Sequence, residues 1–122
     1  MQPVKLTDAE KTRRLAEGCM GWKELPVGHP YASWCSGDRY KYECGVWQPI
    51  YNESHAAEVR ERMRELGWWW EILTSETRDH IALEHRLKGV RFTAGKVAPG
   101  AIPLGICHAA LLALGLAKEE EL

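Results

Sequence analysis

Trp68-Trp69-Trp70-Glu71-Ile72-Leu73-Thr74, directly after Gly67, decides the fold. Three consecutive indoles left in a loop would expose a large apolar patch. Read as a strand, the run sends Trp68, Trp70 and Ile72 to one face and Trp69 and Leu73 to the other. Bulky apolar groups on both faces call for cover on both sides, by helices or by a second subunit.

Working outward, the segment before the strand is the clearest helix. Asn52 or Ser54 caps it, and Ala56, Val59, Met63 and Leu66 recur at intervals of three and four as one apolar stripe. Charged side chains from Glu58 to Glu65 fill its solvated side, and Gly67 is the expected left-handed stop. After the strand, Ile81, Leu83, His85 and Leu87 alternate with polar or small residues as a half-buried strand. A turn at Lys88-Gly89 then returns the chain as Val90–Ala94. Gly95-Lys96-Val97-Ala98-Pro99-Gly100 reads as a glycine-rich loop feeding a last helix. Pro103 sits in that helix's first turn, its apolar residues point to most sides, and Gly115 ends it.

Upstream, Thr7-Asp8-Ala9-Glu10 is a capping box that opens a first helix, whose narrow buried stripe is Ala9, Leu15, Ala16 and Cys19. Residues 23–53 are rich in turns. Tyr31–Cys35 and Tyr40–Cys44 read as two short strands joined by a hairpin loop at 36–39. The fold class is therefore α/β in the α+β sense: a mostly antiparallel sheet flanked by three helices, an α/β/α sandwich. Residues 1–122 read as one domain, with a frayed tail from about residue 116.

At 122 residues the chain supports a core without disulfides or metal, with a radius of gyration of about 14 Å. Sixteen basic and seventeen acidic side chains leave a net charge of −1, which argues against coating a nucleic-acid polymer. No apolar run reaches membrane-spanning length, and the N-terminus lacks the apolar core of a signal peptide. Cys19, Cys35, Cys44 and Cys107 match no zinc spacing and read as free thiols in a reducing compartment, with no metal and no cofactor implied.

Three segments carry a family resemblance. Leu15-Ala16-Glu17-Gly18-Cys19-Met20-Gly21-Trp22 is similar to an "AxxVMGW" helix end. Ala56-Ala57-Glu58-Val59 through Met63-Arg64-Glu65-Leu66-Gly67-Trp68 is similar to an alanine-rich helix closing on "GW". Ala98-Pro99 through Ile106-Cys107-His108-Ala109-Ala110-Leu111 is similar to an "AICxAAL" last helix. In this order they resemble the phage ABA sandwich proteins over about residues 15–115. The chain departs from the pattern at Cys19, at the inserted Pro103-Leu104-Gly105 and in its triple tryptophan. The resemblance implies a phage- or prophage-encoded accessory protein acting in the host cytoplasm. Some proteins that look like this family are anti-defence sponges, notably anti-Thoeris proteins, which sequester a cyclic ADP-ribose-type or cyclic oligonucleotide signal without cleaving it. None of their binding residues carries over to a position here.

Such a sponge needs cations or amides for phosphate and flat rings for a base. The phosphate candidates are Arg91, Lys96 and Gly100, leading into the last helix, where first-turn amides carry partial positive charge. A glycine-rich connection with a solvated lysine is the structural alternative. Trp47 and Tyr51 are the base platforms of choice because they lie in the proline-broken region, and Asn52 stands ready to read a base edge or to cap its helix. His80, His85 and His108 form no triad with Ser or Asp and read as structural histidines. The expected function is thus a non-enzymatic, homodimeric or larger sponge for a cyclic nucleotide immune signal. The alternatives are a protein-binding inhibitor or accessory factor acting through a tryptophan-rich interface, and a cyclic-nucleotide-degrading enzyme.

Overall fold

The computed structural model describes residues 4–24, 33–36, 39–43, 47–74, 76, 79–85, 87–97 and 101–122, by backbone alone at 24, 33–36, 39–43 and 92–97. Helix α1 (Asp8–Arg14) opens as its capping box requires, with the Thr7 hydroxyl accepting from the Glu10 amide at 3.2 Å. It widens into a π-helical turn at Leu15–Cys19. The wider turn puts the residues before and after it out of phase. Leu15, Ala16 and Cys19 enter the core as expected, but Ala9 is exposed and Lys11 takes the buried side of α1.

Helix α2 (Glu53–Glu65) starts where Asn52 accepts from the His55 amide at 3.0 Å, a cap that contributes about 1 kcal/mol. It buries Ala56, Val59 and Met63. Gly67 (φ +95°) then reverses the chain, and a Cβ there would meet His85 Nε2 at 2.8 Å. Both the backbone angle and the close approach therefore require glycine. The indole run follows at once as strand β4 (Trp68–Leu73), once β1 (Lys23–Glu24), β2 (Ser33–Ser36) and β3 (Arg39–Glu43) have made a separate three-stranded antiparallel sheet. In that smaller sheet β2 and β3 pair antiparallel with Ser36 opposite Arg39, while the expected hairpin residues between them lie outside the described residues.

The larger sheet has the order β4-β5-β6, all antiparallel, with β5 at Asp79–His85 and β6 at Val90–Val97. One expectation is corrected here. Gly95-Lys96-Val97 is strand, with Lys96 opposite His80 and Asp79 opposite Val97, rather than a loop into the last helix. A register irregularity at Ile81/Ala82 absorbs the glycine: Ile81 faces Gly95 and Ala82 faces Thr93, so Ala94 is the extra residue.

Helix α3 (Ile102–Ala113) packs on β5, β6 and α2, while α2 packs on β4. The face they cover carries Trp68, Ile81, Leu83 and His85, with Trp70 and Ile72 packed against the core; Trp68 meets the His85 ring edge-on at 5.1 Å. The parity read from the indole run is therefore correct, and the α+β class with an antiparallel sheet and three helices stands. Among the described residues, helices cover only this face. Trp69 is 49% and Leu73 57% exposed on the other face. That face is made tolerable to water by Glu71, Glu84 and Arg91, with Arg91 pairing to both carboxylates at 3.1 and 3.7 Å. The C-terminal tail is also docked rather than frayed. Leu6 N–H donates to the Glu121 carbonyl at 2.8 Å, Arg14 pairs with Glu121 at 3.7 Å and donates to the Leu116 carbonyl at 2.7 Å.

Candidate ligand cleft

The buried face of α1, with Lys11 one turn before Leu15, also borders a concave site. A cleft of about 500 Å³ opens between α1, the turn at Ile50-Tyr51 and the first turns of α3. Its floor is Lys11, 7% exposed, whose Nζ lies 3.0 Å from His108 Nε2. An ammonium donates only, so Nε2 accepts and the imidazole proton sits on Nδ1. Burial, and then the Lys11 charge, pushes the His108 pKa down from its ordinary 6.5 to about 4. The imidazole is therefore neutral around pH 7, and the positive charge resides on Lys11.

Asp8, one turn before Lys11, accepts a hydrogen bond from the Tyr51 hydroxyl. That bond, with the carboxylate charge behind it, raises the phenol's pKa above its ordinary value. Among the described residues Lys11 is ion-paired with no carboxylate. Ile50, Pro103 and Leu104 line apolar walls, and the Tyr51 ring stands at the mouth, 68% exposed. Helix α3 begins here with Ala101 at its N-cap, whose methyl group cannot cap the first-turn amides of Ile102 and Leu104, while Pro103 has no amide. A buried cation, uncapped amides and a ring at the rim together suit an anionic group joined to a flat one.

The depressed His108 pKa makes stability depend on pH. The unfolded chain takes up this proton as pH falls through about 6.5, whereas the folded chain resists until about 4. The His108 contribution is thus fully present above 6.5 and is lost between 6.5 and 4. Thermal melts over that window should show a falling midpoint, and His108→Gln should flatten the slope relative to the unaltered protein. An unchanged slope in the variant would refute the neutral assignment.

Of the residues expected from sequence, the structure brings Tyr51 and the start of α3 to this cleft and separates the rest. Asn52 caps α2. Trp47 is 1% exposed: its indole stacks edge-on against Trp22 at 4.7 Å and donates to Glu58 at 3.0 Å, so it is core and no base platform. Arg91 lies on the open sheet face among carboxylates, and Lys96 belongs to the β6 ladder. Gly100 lies outside the described residues. The sequence reading missed Asp8, Lys11 and His108. Ninety-seven positions separate Lys11 from His108, so no local spacing could pair them. The one clue was a histidine inside an otherwise apolar helix.

The thiols belong to the core instead. Cys19 lies 3.8 Å from Met63 Sδ, with burial pushing its pKa up to about 12, and burial also raises that of Cys107. Neither is a nucleophile near neutral pH. Among the described residues no helix is long and apolar enough to cross a membrane.

Neither a curated protein nor a solved structure matches the chain. A family model does: the phage ABA sandwich domain covers residues 13–111, which takes in α2, the indole strand, the sheet and nearly all of α3. With most of its length inside that match, this chain belongs to the phage ABA sandwich domain family.

Proposed function

We infer that this phage ABA sandwich protein is an anti-defence binding protein that sequesters a cyclic nucleotide signal of the cyclic ADP-ribose type without cleaving it. One observation carries the reading: a buried Lys11 ammonium whose hydrogen-bond partner is a neutral imidazole, at the floor of a cleft rimmed by Tyr51. A phosphate oxygen there gains a charge-assisted hydrogen bond in a site with little competing water. Tyr51 offers a face for the base, and the apolar walls exclude solvent.

Binding without turnover is supported by the state of the site's bases. The His108 Nε2 lone pair is taken by Lys11, and the Asp8 carboxylate holds the Tyr51 proton. With that lone pair engaged, the imidazole is not free to remove a proton from an attacking water. The test is to load the purified protein with cyclic ADP-ribose, wash it, release the ligand by heat and weigh the product by mass spectrometry. Intact ligand is expected in the released fraction. A hydrolysed product would make the protein an enzyme, and an empty fraction would remove this ligand.

A further inference from the structure

Between α2 and strand β4, a second groove of about 380 Å³ runs round the sheet edge. It is lined by Arg60, Arg64, Trp69, Trp70 and Ile72, and shares no residue with the Lys11 cleft. Arg60 and Arg64 are one helical turn apart, a like-charge neighbour pair that destabilises a helix unless an anion lies between or beside it. Arg64 has Glu61 at 3.3 Å, an exposed pair of little strength, whereas Arg60 is paired with no carboxylate among the described residues. The lining therefore holds two cations and no acid.

The indoles supply the other half. Neighbouring strand residues point to opposite faces, yet Trp69 and Trp70 both reach this groove because β4 is the sheet's edge and the groove wraps around it. Trp70 Nε1 donates to the Arg60 carbonyl at 3.0 Å, which holds its ring against the helix. Trp69 remains half-exposed beside Arg64. Guanidinium groups bind phosphate bidentately, and indole faces stack on planar rings.

We propose that the Arg60–Arg64–Trp69–Trp70 groove is a second ligand site, for a nucleoside monophosphate: phosphate on the two guanidinium groups and base against the indoles. It functions independently of the Lys11 cleft. Each of the six tryptophans gives an indole N–H signal in ¹⁵N-resolved NMR spectra, and Trp69→Phe and Trp70→Phe assign the two that matter. Adenosine 5′-monophosphate should shift both signals saturably, with adenosine and inorganic phosphate each binding at least about tenfold more weakly. In the Arg60→Gln/Arg64→Gln variant the nucleotide should move neither signal while the other four stay at their original positions. That variant keeps the Arg60 carbonyl and changes only exposed side chains, so its fold survives. Lys11→Met should leave the response intact. Shifts that persist in the double-arginine variant, shifts equally strong with adenosine, or a response lost in Lys11→Met would each overturn the assignment.

Discussion

Lys11→Met is expected to raise the melting temperature and abolish retention of a cyclic ADP-ribose-type ligand in the same variant. The side chain is almost wholly buried, and its nearest polar partner is uncharged. Burying a cation without a carboxylate costs several kcal/mol, and the hydrogen bond to His108 offsets part of that. Methionine has nearly the same shape and no charge, so the folded state should gain on the order of 1–2 kcal/mol, a few degrees for a chain of this size. Binding moves the other way. Loss of a charge-assisted bond to phosphate in a dry site costs roughly 2–3 kcal/mol, about 30- to 150-fold in affinity. A merely structural lysine predicts a different result: lower stability, with retention falling only in step with unfolding. Equilibrium dialysis beside a thermal melt separates the two. Lower stability together with undiminished retention would dispose of the cleft as the ligand site.

That expectation depends on a pairing, Lys11 with His108, that no periodicity could supply. The indole run fixed its own parity, because alternation along a strand admits one division of Trp68, Trp70 and Ile72 from Trp69 and Leu73. Asn52, Gly67 and Thr7 declared their roles by residue type, and α3 declared its burial by being apolar nearly all round. Lys11 did not: it lies one α-turn before Leu15 on the buried face, but a lysine reads by type as solvated. Gly95 misled in the opposite sense. It reads as a strand breaker, but the register irregularity opposite Ile81 and Ala82 lets β6 run on through Val97, which takes Lys96 into the ladder and away from the expected phosphate loop. The cleft's chemistry arises where α1 meets α3, ninety-seven residues apart, and Tyr51 was legible only because it sits in the break before α2.

Two leucines test the packing on which both ligand sites rest. Leu111 has no exposed surface and sits in α3 among Ile106, Cys107 and Ala110, where that helix meets the sheet and α2. Leu111→Asp removes a buried side chain worth about 2–5 kcal/mol. It also places a carboxylate where the neighbouring core residues are apolar, a further loss of at least several kcal/mol unless the acid stays protonated. Whole domains of this length are stable by about 6–18 kcal/mol, so the variant should lose most of its stability and be largely unfolded or insoluble. Leu87 gives the counterweight. Alternation with Ile81, Leu83 and His85 assigned it inward, but β5 ends at His85 and Leu87 stands in the turn, 94% exposed. Leu87→Asp should therefore shift stability by no more than about 0.5 kcal/mol and favour solubility. Urea titrations of the pair decide the matter: equal costs at the two positions would mean that α3 does not form the floor of the core, and the cleft at its N-terminal end would lose its frame.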